Sequence, residues 1–473
     1  MDKNTIQNAL TANFPHETTN DQQLLFEQLA LFLDRKNNIE IFILKGYAGT
    51  GKTSVIGTLV KCLSLCGWQT VLLAPTGRAA KVLTEYSQKQ AFTIHKKIYR
   101  SISDEETAHF MVQPNFHKNT VFIVDEASMI ADSSCSGFYN NRSLLEDLMN
   151  YVFSGTNCKL LLSGDTAQLP PVGLSESPAL DIDYLKKNYN KEMAGFELKE
   201  VVRQSEKSGI LSIATNLRTH ADEASAQQPK FNLKKFSDVV RINGTELEDA
   251  LNSAYSSYEA ENAIVICRSN KRANIFNQQI RARILWKENE ISAGDRMMVV
   301  KNNYTWLPTN SKAGFIANGD TIELLKVITI NEIHGFRFAD VIIQLSDYPD
   351  EPSMEVKILL DTIMSESPAL SSVENKKLYD SVVASYMDVA NKQMRRKLIK
   401  NDPYLNALQV KFAYAVTCNK SQGGQWKTVF IEQGYLTKEM INTDYFRWLY
   451  TGFTRATEKL FLVNFNPDFF DEF

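Results

Sequence analysis

An α/β fold of two tandem parallel-sheet lobes is predicted by three observations. Apolar, β-branched runs recur along the chain, a glycine-rich turn follows the first of them, and the runs return near the C-terminus without a second such turn. The runs at 41–44, 70–74, 121–124 and 159–162 are apolar at successive positions and alternate with helical patterns, as strands covered on both faces require. They make the first lobe. Runs at 263–267, 428–431 and 460–463 make the second. Between 295 and 405 polar and apolar residues alternate between Gly, Asn and Asp turns, with a charged helical stretch around 394–400, which predicts a small, largely β insertion in the second lobe. A polar segment at 96–120, broken by Pro114, is a shorter insertion in the first lobe. The expected division is therefore 1–95 with 121–200, the insertion 96–120, 201–295 with 405–473, and the insertion 296–404.

Several compact units are needed to fold 473 residues, since a domain usually takes roughly 100–200. With 44% apolar and 23% charged residues, the composition is that of a globular protein rather than a disordered one. A formal charge of −3 excludes a uniformly basic, duplex-coating surface and leaves room for a local basic groove. The cysteines at 62, 66, 135, 158, 267 and 418 form no CxxC pair and lie in apolar segments, which fits reduced core thiols rather than metal ligands. The chain opens without a basic region followed by an apolar one, and no stretch reaches the roughly 18 apolar residues of a membrane helix. A cytoplasmic protein with no membrane partner is expected.

Gly46-Tyr-Ala-Gly-Thr-Gly-Lys-Thr53 fits the phosphate-loop pattern GxxxxGK[ST] and stands between a strand and a helical run. The backbone N–H groups of Gly46, Ala48, Gly49, Thr50, Gly51 and Ser54 would cradle phosphates, Lys52 would reach the β and γ phosphates, and Thr53 would ligate Mg²⁺. Hydrolysis needs carboxylates as well. Asp125 and Glu126 end the run 121–124, where ligands of open α/β sheets collect; Asp125 would hold Mg²⁺ and Glu126 would activate water. Charge on the transferred phosphate calls for arginines from a second lobe, and Arg203 and Arg455 both follow apolar segments in short polar settings. Read without relatives, either could be an ordinary surface arginine.

The assembled motifs resemble the superfamily 1 helicases of group B, in particular the RecD-like and Dda-like enzymes. Gly46 to Thr53 looks like motif I, Ala74-Pro-Thr-Gly-Arg-Ala-Ala80 like motif Ia, and Thr93-Ile-His95 like the DNA-contact motif that follows. Asp125-Glu-Ala-Ser-Met129 resembles motif II, Gly164-Asp-Thr-Ala-Gln168 motif III, Val202-Arg-Gln204 motif IV, Thr417-Cys-Asn-Lys420-Ser-Gln-Gly423 motif V, and Tyr450 to Ala456 motif VI. Cys267-Arg-Ser-Asn-Lys271, with Asn277 and Arg281, resembles the element that opens the second lobe, and Gln22 sits in a Q-like motif. The likeness implies RecA-like lobes, a barrel-like second insertion, ATP with Mg²⁺, Gln168 as the γ-phosphate sensor, and Arg203 and Arg455 as arginine fingers. It also implies that Gln22 reads adenine and that Gly423 serves the nucleotide. Two positions depart from the pattern: Asn419 replaces a frequent His, and Gln425 a frequent Glu.

For the nucleic acid, the resemblance implies a track from Pro75, Thr76, Thr93 and His95 on the first lobe to Thr417, Asn419 and Lys420 on the second. Insertion 96–120 falls where relatives carry a duplex-splitting pin, with Phe110, Met111 and Phe116 as stacking candidates, and Lys301 and Asn303 of the second insertion as further contacts. The expectation is an ATP-driven monomeric DNA helicase moving 5′ to 3′ on single strands and at single-strand/duplex junctions, with repair or replication proteins as partners. Against it stand a nucleic-acid-independent P-loop ATPase switch and a Pif-type helicase.

Overall fold

The structure is a computed structural model and describes residues 2–103, 108–132, 143–202, 208–222, 228–308, 311 and 313–471. The chain opens on two helices, Lys3–Asn13 and Asn20–Leu33, the second begun by a capping box in which Thr19 and Gln22 satisfy each other's backbone N–H. Strands β1 (Ile41–Gly46), β2 (Gln69–Ala74) and β3 (Ala91–Thr93) follow, then the antiparallel hairpin β4 (Tyr99–Ser103) and β5 (Ala108–Val112), then β6 (Lys118–Val124), β7 (Thr156–Gly164) and β8 (Met193–Leu198). Without the hairpin they form a parallel sheet in the order β3-β2-β6-β7-β1-β8. That order makes β6, β7 and β1 neighbours, so their carboxyl ends bring Asp125, Asp165 and the glycine-rich turn to one place. Ile41, Phe42, Ile43 and Leu44 are all buried, alternate residues entering the two apolar layers on either face of the sheet.

The second lobe begins with β9 (Val239–Ile242) and β10 (Ala263–Cys267). It is interrupted by β11 (Arg296–Val299), β12 (Thr321–Ile333), β13 (Phe336–Leu345), β14 (Met354–Leu359) and β15 (Leu408–Phe412), which close into a barrel, and resumes with β16 (Ala415–Thr417), β17 (Trp426–Glu432) and β18 (Ala456–Val463). Its own sheet is parallel, in the order β16-β10-β17-β18-β9. The largely β character expected for the insertion is thus a closed five-stranded barrel, and its last strand lies past residue 404 because the fully buried Leu408–Phe412 runs straight on into the lobe strand β16.

Asn277 and Arg281, prominent in the sequence, fasten this root. Asn277 accepts from the Tyr414 and Ala415 N–H groups at 3.1 and 2.8 Å. Arg281, 2% exposed, grips Asp295 through two nitrogens at 3.0 and 2.9 Å and lies 4.3 Å over Phe412. Strands β12 and β13 project from the barrel as a long ribbon with two register shifts, between Leu324 and Lys326 and between Val327 and Thr329, and with Leu325, Ile328, Ile330 and Ile333 exposed.

Five cysteines, 62, 66, 158, 267 and 418, are free and buried, and Cys135 lies outside the described residues. Among the described residues no helix is long and apolar enough to cross a membrane, and no group of three or more His, Cys, Asp or Glu could hold a metal.

Candidate nucleotide site and nucleic-acid track

The turn after β1 is shaped for an anion. Gly51 has φ +84°, a conformation that favours glycine, and a Cβ there would stand 2.6 Å from Nε2 of Gln22 on the helix Asn20–Leu33. The helix Lys52–Leu65 starts immediately after it, presenting free N–H groups where phosphates gather. Thr53 is exposed and Ser54 half-buried, while Thr50 is fully buried with its hydroxyl donating to the Tyr47 carbonyl at 2.8 Å. Lys52 Nζ donates to the Gly46 carbonyl and lies 4.0 Å from Asp165 Oδ2. Gln22 is 1% exposed and both ends of its amide are engaged: Nε2 donates to the Thr50 carbonyl at 3.1 Å, and Oε1 accepts from the Thr19 N–H at 3.1 Å. It therefore braces the turn from behind.

Asp125 and Glu126 follow β6, with Glu126 in the left-handed region at φ +54°. The Tyr86 hydroxyl donates to Asp125 Oδ2 at 2.6 Å, and burial, then the neighbouring carboxylate, push that phenol well above its ordinary pKa, so it stays a donor. This bond anchors one carboxylate oxygen of Asp125. The donor set Thr53 hydroxyl plus Asp125 carboxylate, all oxygen, fits Mg²⁺. Burial raises the Glu126 pKa, opposed chiefly by the Arg455 guanidinium, whose Nη1 lies 3.8 Å from Glu126 Oε1. A raised carboxylate is a better proton acceptor.

Arg455 belongs to the second lobe and reaches this site buried to 4% exposure. Its Nε donates to the Thr451 carbonyl at 3.0 Å and Nη1 to the Gly424 carbonyl at 3.2 Å, so its direction is set before any ligand arrives. Arg203 lies outside the described residues. Its neighbour Val202 donates from N–H to the Gly49 carbonyl at 3.0 Å. Gln168 is 6% exposed, and its Oε1 has no hydrogen-bond partner among the described residues.

Sequence reasoning missed the links that join motif III to the second lobe. Thr451 Oγ1 accepts from the Leu169 N–H at 2.8 Å, Gln422 Nε2 donates to the Leu169 carbonyl at 2.7 Å, and the Tyr450 hydroxyl donates to Asp165 at 2.7 Å while accepting from the Ala48 N–H at 2.8 Å. The only sequence signal was their membership of motifs V and VI. Arg78 was missed as well: it stacks 3.9 Å over Trp426 of the second lobe and donates to the Gln425 carbonyl at 3.3 Å.

On the nucleic-acid side, Thr76 and Thr93 are helix N-caps, accepting from the Ala79 and Lys96 N–H groups at 3.2 and 3.1 Å, and Pro75 is half-buried beside the first. Each leaves the remaining N–H groups of its helix end as the donors a phosphate can meet. His95 lies in the first helical turn after Thr93, and burial lowers its pKa to about 4, so the imidazole is neutral near pH 7. Thr417 precedes a short helix, Asn419 is exposed, and Lys420 Nζ is buried with no hydrogen-bond partner among the described residues. Gly423, with φ +71°, packs against the helix end at Thr76 rather than against the phosphate turn: a Cβ there would stand 2.7 Å from Ala79 Cβ and 3.3 Å from Thr76 Oγ1.

Met111 is 50% and Phe116 85% exposed, Phe116 standing after the hairpin rather than on it; the Phe110 side chain lies outside the described residues. Asn303 is occupied within the barrel, donating to the Asn406 carbonyl at 2.8 Å, and Lys301 Nζ donates to Asn375 Oδ1 at 3.3 Å. The barrel docks on the first lobe through Lys96, which is 3.4 Å from Asp320 and 3.2 Å from the Tyr348 hydroxyl.

One phosphate-binding turn, faced by groups from a second sheet lobe that lacks such a turn, defines a two-lobed P-loop motor. Residues 20–232 match the family model described as an AAA domain, and residues 412–463 that described as a UvrD-like helicase C-terminal domain. The chain is 27% identical to the ATP-dependent DNA helicase dda of Enterobacteria phage T4 over 55% of its length and 56% of the phage protein's. It is 29% identical to the ATP-dependent RecD2 DNA helicase of Deinococcus radiodurans over 44% of its length and 26% of that protein's. A crystal structure of Pif1 helicase from Bacteroides in complex with ADP-AlF3 and ssDNA aligns at 14% identity and a TM-score of 0.46, covering 95% of this chain and 92% of that one. Both domain matches and these relatives support reading the motifs as those of a superfamily 1 helicase of group B.

Proposed function

We propose that this chain is an ATP-dependent DNA helicase that moves 5′ to 3′ along single-stranded DNA and separates duplex strands at junctions. The observation that carries the reading is the approach of Arg455 from the second lobe to within 3.8 Å of Glu126 on the first, beside the phosphate turn. In this reading Lys52 releases Gly46 and Asp165 to meet the β and γ phosphates, and Glu126 orients and deprotonates water. Arg455 and Arg203 offset the charge that develops on the phosphate. Thr53 and Asp125 would hold Mg²⁺, which supplies charge neutralisation between the phosphates when bound. Gln168, on a turn held from the second lobe through the backbone of Leu169, would relay phosphate occupancy to the track.

Cleft closure with ATP brings the helix ends at Thr76 and Thr93 toward Thr417, Asn419 and Lys420; hydrolysis removes the attraction and the cleft reopens. Opening one base-pair step costs on average about 1.4 kcal/mol in stacking, within reach of such a cycle. The test is the ATP turnover rate with and without a DNA oligonucleotide, followed by unwinding of duplexes with a 5′ or a 3′ tail. Stimulation by the oligonucleotide and unwinding of the 5′-tailed duplex are expected. Turnover indifferent to DNA points instead to a P-loop switch, and unwinding only from a 3′ tail removes the assigned direction.

A further inference from the structure

Three side chains that reach the first lobe come from one helix, Thr443–Phe453, and the residues just after it: Tyr450, Thr451 and Arg455. Arg455 meets Glu126 and Thr451 meets the motif III turn, but Tyr450 alone touches the phosphate turn itself. Its hydroxyl accepts from the Ala48 N–H at 2.8 Å and donates to Asp165 Oδ2 at 2.7 Å. Asp165 is 1% exposed, accepts from the Ala167 N–H at 2.9 Å through its other oxygen, and stands 4.0 Å from Lys52 Nζ. A neutral hydroxyl and a carboxylate thus engage a turn amide and the phosphate-reaching lysine, both groups that a triphosphate would claim.

We propose that Tyr450 is a positioning residue for ATP hydrolysis, its hydroxyl holding the Ala48 amide and Asp165 together across the cleft until phosphate displaces it from the amide. The second lobe then reads occupancy of the phosphate turn through Tyr450 as well as through Arg455. Burial, then Asp165, drives the Tyr450 phenol far above its ordinary pKa, so the proton stays on the oxygen and the bond to Asp165 keeps its direction. The inference rests on reading Gly46 to Thr53 as the nucleotide site.

Titration of the full chain with fluorescent ADP tests it in Tyr450→Phe, which keeps the ring in the apolar core of the second lobe and loses only the hydroxyl. Removing a competitor for the amide tightens ADP about fivefold, the scale of one neutral hydrogen bond. DNA-stimulated kcat falls in the same variant because Asp165 keeps only its bond from the Ala167 N–H and loses the one facing Lys52. Tighter binding with slower turnover is a pair of movements that lost packing does not produce. ADP affinity unchanged within about twofold, or weakened, overturns the proposal. So does equal tightening in Thr451→Val, which removes a cross-lobe bond without touching the phosphate turn.

Should Tyr450→Phe not fold, 3-fluorotyrosine placed at 450 gives a ¹⁹F resonance that shifts on adding ADP if the hydroxyl leaves Ala48; a resonance that stays put overturns the proposal. Wild-type protein that binds ADP but shows no DNA-stimulated turnover refutes the helicase reading and leaves the ADP result to decide Tyr450.

Discussion

The two parallel-sheet lobes share an architecture and divide the chemistry. In the first, three adjacent strands deliver the phosphate turn, Asp125 with Glu126, and Asp165 to one edge. In the second, the sheet delivers no such turn, and a single helix and its C-terminal end present Tyr450, Thr451 and Arg455. One lobe holds and the other triggers. The difference teaches that the ligand-facing edge of a parallel sheet is set by its loops: a glycine-rich turn makes it a cradle, and a helix ending in a buried arginine makes it a lever.

The largest effect expected from breaking this division is in the cradle. Lys52→Ala should take ATP turnover below detection while single-stranded DNA affinity, measured by fluorescence anisotropy, stays within about threefold, because the DNA track lies on other elements. Wild-type turnover in this variant would remove the site assignment. On the lever, Arg455→Ala should lower kcat by about 10³-fold or more, with a smaller change in the KM for ATP. A risen KM with kcat intact would make Arg455 a binding group instead and erase the contrast between the lobes.

Glu126→Gln should lower turnover on the order of 10²-fold and leave a long-lived ATP-bound protein, detectable by retention of labelled ATP on a filter. Its pH behaviour sharpens the assignment. A base acts only when deprotonated, and burial raises the Glu126 pKa, so wild-type turnover should rise with pH through that raised value and the Gln variant should lose this limb. The smallest effect belongs to the track. Burial, then Lys411, lowers the Lys420 pKa to about 8, so its positive charge disappears as pH rises through that value. Single-stranded DNA affinity should weaken between pH 7 and 9, and Lys420→Met should abolish the change while reducing the log–log salt slope by about 0.7. An unaltered salt slope in that variant would take Lys420 off the track.

The cradle was legible in the sequence; of the lever, Arg455 and its motif were legible, while the hydrogen bonds of Tyr450 and Thr451 were not. A strand buried on both faces followed by GxxxxGKT has few folds open to it, so β1, its turn and the acids after β6 could be placed from residue order alone. The strands β8 and β9 escaped because they lie at sheet edges, where Met193–Leu198 and Val239–Ile242 mix half-buried and exposed positions and lose the unbroken apolar run. Tyr450, Tyr86 and Arg78 escaped for another reason. Each acts through a partner far along the chain, Ala48, Asp125 or Trp426, and no local pattern encodes which distant group a hydroxyl or guanidinium will meet. Asn277 and Arg281 show the converse: their pattern was visible, but only the packing reveals that they clamp the root of the barrel.

The ribbon of β12 and β13 carries a consequence for how the molecule behaves in a crowded solution. Beyond Leu324 the outer edge of β12 pairs with no other strand among the described residues, and its β-branched side chains are open to water. A flat edge of that kind invites another copy to add a strand and begin aggregation. The two register shifts coil the ribbon, and Lys326 and Glu332 put charge along it, so a straight incoming strand finds neither a matching ladder nor an uncharged rim.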